Sequence, residues 1–269
     1  MNFIDSHAHL TDPAFDNDRD TLLQTVLPAA GLSASVEIGC APDEWEQALS
    51  LAAKYPRFVY TALGVHPEYA SLYHPQRAPR LMELLQHPAT VAVGEIGLDD
   101  TCLDLAPQQD QQTLLVNMLQ LANQTHKPIV LHVRRNGEDY TVYETCFSLI
   151  KQHFTFQSAT AYPGVLHCFC ARYEEAKAAL DHGFLLGVNG CFTYKKNEYI
   201  REAVKKAGAD KIILETDCPY LSPQGRRGQR NDPSTIPLLA QFVADYLDVP
   251  LEKLAQITTQ NTRALYGLP

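Results

Sequence analysis

Two histidines stand two positions apart in the opening stretch NFIDSHAHL, as His7 and His9. On an extended strand, side chains at i and i+2 share a face, so the pair can offer two imidazole donors to one metal ion. Other metal-ligand residue types stand at the ends of further apolar runs: His66 in GVHP, Glu95 in GEIGLD, His132 in LHVR, His167 in LHCF and Asp217 in ETD. Buried ionisable groups are costly unless paired or bound to a cation, so their convergence would call for a counter-ion. Imidazoles and carboxylates suit Zn, Mn, Fe or Co at a hydrolytic site, with Mg or Mn possible through carboxylates and water. One ion rarely needs so many donors. Two ions would, and Glu95 could bridge them at roughly 3.5 to 4 Å.

Such donors need elements that bring them together. Eight short apolar or β-branched runs recur: NFID, ASVEIG, FVYTALG, TVAVGE, KPIVLH, YPGVLH, FLLGV and KIILE. Segments with helical spacing lie between them, including DEWEQALSLAAKYP, QQTLLVNMLQLANQTHK and RYEEAKAALDHG. Residues near the run ends are 21 to 37 positions apart, one βα unit per interval. Eight units in this length predict a single (β/α)8 TIM barrel spanning residues 1–269. An open doubly wound sheet fits less well, because the chain lacks a glycine-rich first turn. In a barrel the C-terminal strand ends form the mouth where active sites sit, which would make the seven residues neighbours. Cys168 follows His167 directly, and strand alternation predicts that its thiol packs on the opposite face. The tail LEKLAQITTQNTRALYGLP reads as a final amphipathic helix packed outside the barrel.

Composition narrows the function classes. With 45% hydrophobic residues, the chain can bury a barrel-sized core. No apolar run reaches the roughly 20 residues that span a bilayer, so no membrane association is expected. A net charge of −9 argues against a surface that coats nucleic acid generally, so any polyanion must be drawn in locally. The seven cysteines include no Cys-x-x-Cys pair and are expected to be reduced thiols. Functional histidines at positions 7 and 9 would leave no room for a cleaved leader. The expected location is therefore cytoplasmic.

IDSHAHL, GVHP, GEIGLD, HVR, HCF and ILETDCPYL followed by RRGQRNDP resemble the TatD-like metal-dependent deoxyribonucleases of the amidohydrolase superfamily. The resemblance spans nearly the whole chain. It implies a (β/α)8 barrel with two divalent metal ions (Mg, Mn or Zn) and phosphodiesterase activity on DNA ends. By resemblance, His7, His9, Glu95 and Asp217 hold one ion, and Glu95, His132 and His167 hold the other. His66 would lie beside the metals and Arg134 would line the site, with Arg227, Gly228 and Asn231 in an RGxxN loop. The departures are Asp100 where an aromatic is usual, Val133 within the usual HSR, Cys170 and Ala171 in the usual HCFSG, and Asp232 in the usual NEP. They spare every metal ligand and touch the substrate rim.

The rim itself carries a signal. Arg226, Arg227 and Arg230 stand in one glycine-containing loop just after Asp217, and arginine forks suit phosphate oxygens. Tyr220 and Phe169 could stack on bases. The expected activity is hydrolysis of nucleic-acid ends, single-stranded DNA foremost, by a hydroxide held between the ions. Asp217 would take the water proton and return it to the leaving group, and no obligate protein partner is inferred. The alternatives are a metal-dependent hydrolase of another bond, such as an aminoacyl-RNA ester or a cyclic amide, and a non-catalytic metal-binding protein.

Overall fold

The computed structural model describes residues 1–157 and 160–269. Each apolar run forms a parallel strand: β1 (Phe3–Ala8), β2 (Leu32–Gly39), β3 (Val59–Leu63), β4 (Thr90–Asp99), β5 (Ile129–Arg134), β6 (Gly164–Leu166), β7 (Leu185–Val188) and β8 (Ile212–Leu214). They pair in sequence order from β1 to β8. The ring closes where Ala8 bridges Cys218 in parallel. Asp217 N donates to His7 O, and His9 N donates to Cys218 O, each at 2.9 Å. The fold is therefore the (β/α)8 barrel expected from the sequence.

Strand alternation builds two apolar layers. On β5, Ile129, Leu131 and Val133 face the surrounding helices, while Val130 joins Val36, Ile38, Ala62, Val165, Leu185 and Ile213 in the barrel interior. His132 takes the next inward position, one step nearer the mouth. Helices follow the strands and bury one stripe each. Helix Trp45–Lys54 buries Trp45, Ala48, Leu51 and Ala52. Helix Gln108–Thr125 buries Leu114, Leu115, Met118 and Leu119 and stops at His126, which adopts a left-handed conformation.

The tail helix, Leu251–Tyr266, does more than pack on the outside. Its Leu265 and Tyr266 plug the interior at the end opposite the mouth, and Tyr266 Oη donates to Ser6 O at 3.3 Å. Asn261 Nδ2 donates to Ile212 O at 2.9 Å, which ties the helix to β8. Thr262 is buried within this helix. Among the described residues, no helix is long and apolar enough to cross a membrane.

Candidate metal centre

Six of the expected ligands meet at the mouth. Glu95 lies at their centre on β4, 4% exposed. Its two oxygens look in different directions. Oε1 lies 2.7 Å from His132 Nδ1 and 3.3 Å from His167 Nε2. Oε2 lies 3.4 Å from His7 Nε2. Asp217 Oδ1 completes the second group, 3.7 Å from His7 Nε2 and 3.4 Å from His9 Nε2. The rings of His7 and His167 stack at 3.5 Å between centroids, which brings the two groups into contact.

Local backbone geometry makes this convergence possible. Asp217 sits beyond β8 with φ 56°, a left-handed conformation that aspartate tolerates better than most residues. Gly97 at φ 155° lets β4 pass close to β5, because a Cβ there would meet His132 O at 1.7 Å. Gly187 leaves space for a carboxylate, since its Cβ would stand 2.3 Å from Glu215 Oε2.

Four buried carboxylates outside the expected ligand set hold the ligands in place. Asp99 Oδ2 lies 3.0 Å from His132 Nε2, behind the nitrogen that faces Glu95. Glu215 Oε1 stands 3.1 Å from His167 Nδ1, again on the side away from Glu95. It also accepts from Cys168 N at 2.6 Å. Asp5 accepts from His7 N and from Thr216 N, on either side of the closure. Glu37 accepts from Leu10 N, Thr11 N and Thr11 Oγ1, fastening the turn just after His9. The period-2 rule that pairs His7 with His9 also points to two of these residues. Asp5 is two before His7, and Glu215 is two before Asp217.

Charges within the site hold one another. Burial alone would raise the Glu95 carboxyl, but the charge of His167, the hydrogen bond with His132 and the approach of His7 keep it well below the usual carboxylate range. His132 is pushed up to about 9, since contacts with Asp99 and Glu95 outweigh burial. Burial, followed by the charge of His132, pushes His66 down to about 3. His66 is therefore neutral near pH 7, and its Nδ1 accepts from Glu68 N at 3.3 Å. That acceptor role puts the ring proton on Nε2.

The donors fit a divalent ion on two observations. His7 is 1% exposed, and neither ring nitrogen has a hydrogen-bond partner within the protein. Burying an unpartnered polar group costs on the order of 1–3 kcal/mol, and coordination by a cation relieves it. His7, His9 and Glu95 offer donor atoms within 4.8 Å of one another, as do Glu95, His132 and His167. The outer carboxylates behind His132 and His167 match the usual support of metal-bound imidazoles.

The rim residues are placed differently from one another. Arg134 and Arg135 line the mouth cavity, whose volume is about 1120 Å³. Arg227 is exposed, its guanidinium 4.6 Å above the Tyr194 ring. Arg226 approaches Asp232 at 4.0 Å. Arg230 is committed elsewhere. It grips both Asp18 oxygens at 2.7 and 2.6 Å, donates to Ala14 O, and covers the Phe15 ring. Asn231 is 1% exposed and donates to Thr216 O and Tyr220 O, so it braces the loop and does not face the cavity. Phe169 is core, whereas Tyr220 stands exposed at the mouth with its ring 6.5 Å from that of His9.

Comparison with known proteins identifies the family of the chain. The profile of the family described as TatD related DNase matches residues 4–267. An uncharacterized metal-dependent hydrolase of Bacillus subtilis, YabD, is 31% identical over 98% of this chain and 99% of its own. The 3'-5' ssDNA/RNA exonuclease TatD of Erwinia amylovora is 33% identical over 98% of this chain and 100% of its own. The crystal structure of YjjV, a TatD homologue from Escherichia coli, superposes with a TM-score of 0.88 at 28% identity, covering 99% of this chain and 98% of that one. The chain belongs to the TatD-related DNase family and is a metal-dependent hydrolase of the class that acts on ester bonds.

Proposed function

We propose that this chain removes nucleotides from the ends of single-stranded nucleic acid by hydrolysing phosphodiester bonds with two divalent ions. The observation that carries the reading is Glu95, whose two oxygens face two separate histidine groups at the floor of a wide mouth. His7, His9, Glu95 and Asp217 would hold one ion, and Glu95, His132 and His167 the other. Mg, Mn and Zn are all compatible with these donors. Such a pair supplies a nucleophile at neutral pH from water and offsets negative charge at phosphorus.

The protein's own groups do the rest. Asp217 Oδ1, poised beside His9, accepts the proton of the attacking water and returns it to the leaving oxygen. His66, neutral with its proton on Nε2, donates to a phosphate oxygen. Arg134 and Arg227 draw the polyanion to a rim on a molecule that is negative overall. Tyr220 offers an exposed ring for a terminal base. The cavity, at about 1120 Å³, exceeds the roughly 300–1,000 Å³ range of small-molecule sites, which leaves room for a chain end. The names of the Erwinia relatives support this substrate class. Seven free cysteines support a reducing, cytoplasmic setting.

The test is a matrix of Mg, Mn and Zn against single-stranded DNA, RNA and an aminoacyl ester, with Asp217→Asn as control. The expected result is shortening of linear strands, lowered by at least about 10²-fold in the variant. Turnover of the ester with both nucleic acids untouched would overturn the reading, as would an active Asp217→Asn.

A further inference from the structure

The mouth cavity is electrically two-sided. The loops after β1, β2 and β3 line it with Asp12, Asp43, Glu44 and Glu68. Across the ring, the end of β5 contributes Arg134 and Arg135, and among the described residues no lysine or further arginine lines the cavity. The β6 end adds thiols and no such cation: Cys168, with φ 48°, lines the mouth where strand alternation would have sent it to the opposite face. A polyanion is repelled by the first side and drawn to the second. Tyr220, the exposed ring offered to a terminal base, stands toward the acidic side, its Oη donating to Asp12 Oδ2 at 3.5 Å. A strand whose last base rests there carries its inner phosphates toward β5.

Arg135 has its donors unspent. It stands one residue past β5, half-buried, with its guanidinium 4.4 Å from the centre of the Tyr140 ring. Stacking of this kind fixes the plane of a guanidinium and leaves its in-plane N–H groups to face a phosphate. Among the described residues no carboxylate pairs with Arg135, and its Nε is buried without a hydrogen-bond partner. Arg172, 4.6 Å from the same ring, is by contrast already paired with Glu138 at 2.9 Å. We propose that Arg135 binds the first phosphate inward of the bond being broken, so that the body of the strand leaves the mouth over β5 while the terminal nucleoside lies toward Tyr220. This inference rests on the nuclease reading given above. It makes Arg135 a specificity determinant, favouring substrates with at least two phosphodiester bonds.

The experiment measures kcat and KM of the full, metal-loaded chain on a thymidine dinucleotide, which has one phosphodiester bond, and on the trinucleotide, which has two, for wild type, Arg135→Ala and Arg135→Lys. Arg135→Ala should raise KM for the trinucleotide by about tenfold or more, the loss of one charged hydrogen-bonding contact, and far less for the dinucleotide, which has no second phosphate to lose. Arg135→Lys keeps the charge and should recover part of the difference. An equal rise on both substrates would mean that the guanidinium only braces Tyr140, and no rise on either would mean that the strand does not pass over it; each result overturns the proposal. A trinucleotide with one linkage replaced by an uncharged methylphosphonate, made in both positions so that one isomer keeps a charged bond at the attacked end, puts the same question to the wild type and decides if Arg135→Ala fails to fold. KM for the cleaved isomer should rise by the same factor, and an unraised KM would refute the assignment. Hydrolysis of neither nucleotide by wild type with Mg, Mn or Zn would instead overturn the nuclease reading on which the inference stands.

Discussion

Glu95 is the residue on which the two halves of the centre depend, because one of its oxygens faces His132 and His167 and the other faces His7. A glutamine in its place keeps the shape but turns one oxygen into an amide nitrogen, which donates and cannot ligate a cation. Glu95→Gln should therefore lose metal and turnover together. Elemental analysis of desalted protein should read below two ions per chain, and two ions retained in the variant would remove Glu95 from the centre. Asp99 acts one bond further out, through His132 Nε2. Removing such a supporting carboxylate typically costs 10–100-fold in metal affinity, so Asp99→Asn should fall in that range and Glu95→Gln beyond it.

At the scale of elements, the loop after β8 divides its arginines between two tasks. Arg227 is exposed over Tyr194, while Arg230 clamps Asp18 and packs on Phe15. The pair Arg134→Ala with Arg227→Ala should weaken binding of single-stranded DNA and flatten its salt dependence by about 1.4, at roughly 0.7 for each phosphate that is no longer neutralised. Arg230→Ala should leave that slope unchanged and lower stability by about 1 kcal/mol or less, since the ion pair is partly exposed. Binding titrations across a salt series check both, and an unchanged slope in the double variant would make the rim ordinary surface. The same loop marks the limit of what the sequence discloses. Strand ends and inward histidines follow from apolar runs and period 2, and the barrel then brings them together. Arg230 and Asn231 sit otherwise than sequence logic expects because their contacts, Arg230 with Asp18 and Asn231 with Tyr220 O, depend on how the loop folds back, which no periodicity encodes. Asp5, Glu37, Asp99 and Glu215 are legible in principle, since each stands inside or at the end of an apolar strand run where a carboxylate needs a partner.

On the scale of the whole molecule, the centre links the first and last strands of the ring. The closure beside it combines a bridge, hydrogen bonds made by His7, His9, Asp217 and Cys218 themselves, and the bonds of Thr216 to Asp5 and of Ser6 to Leu214 O. Ions that bind these residues in the folded barrel, and find them scattered along an unfolded chain from His7 to Asp217, must stabilise the fold by mass action. An ion at 100 times its dissociation constant contributes about 2.7 kcal/mol. Each kilocalorie raises Tm by roughly 2–4 °C for a chain approaching this length. Saturating zinc or manganese should therefore raise Tm by roughly 5–10 °C per bound ion, and a chelator should reverse the gain. Glu95→Gln should lose most of the shift, whereas Arg134→Ala with Arg227→Ala should keep it, because a guanidinium is a cation with no lone pair to offer a metal. Scanning calorimetry of wild type and both variants, with and without chelator, reads this directly. A Tm indifferent to metal in the wild type would mean that the buried imidazoles are stabilised by their carboxylate partners alone, and the two-ion reading of the mouth would fall.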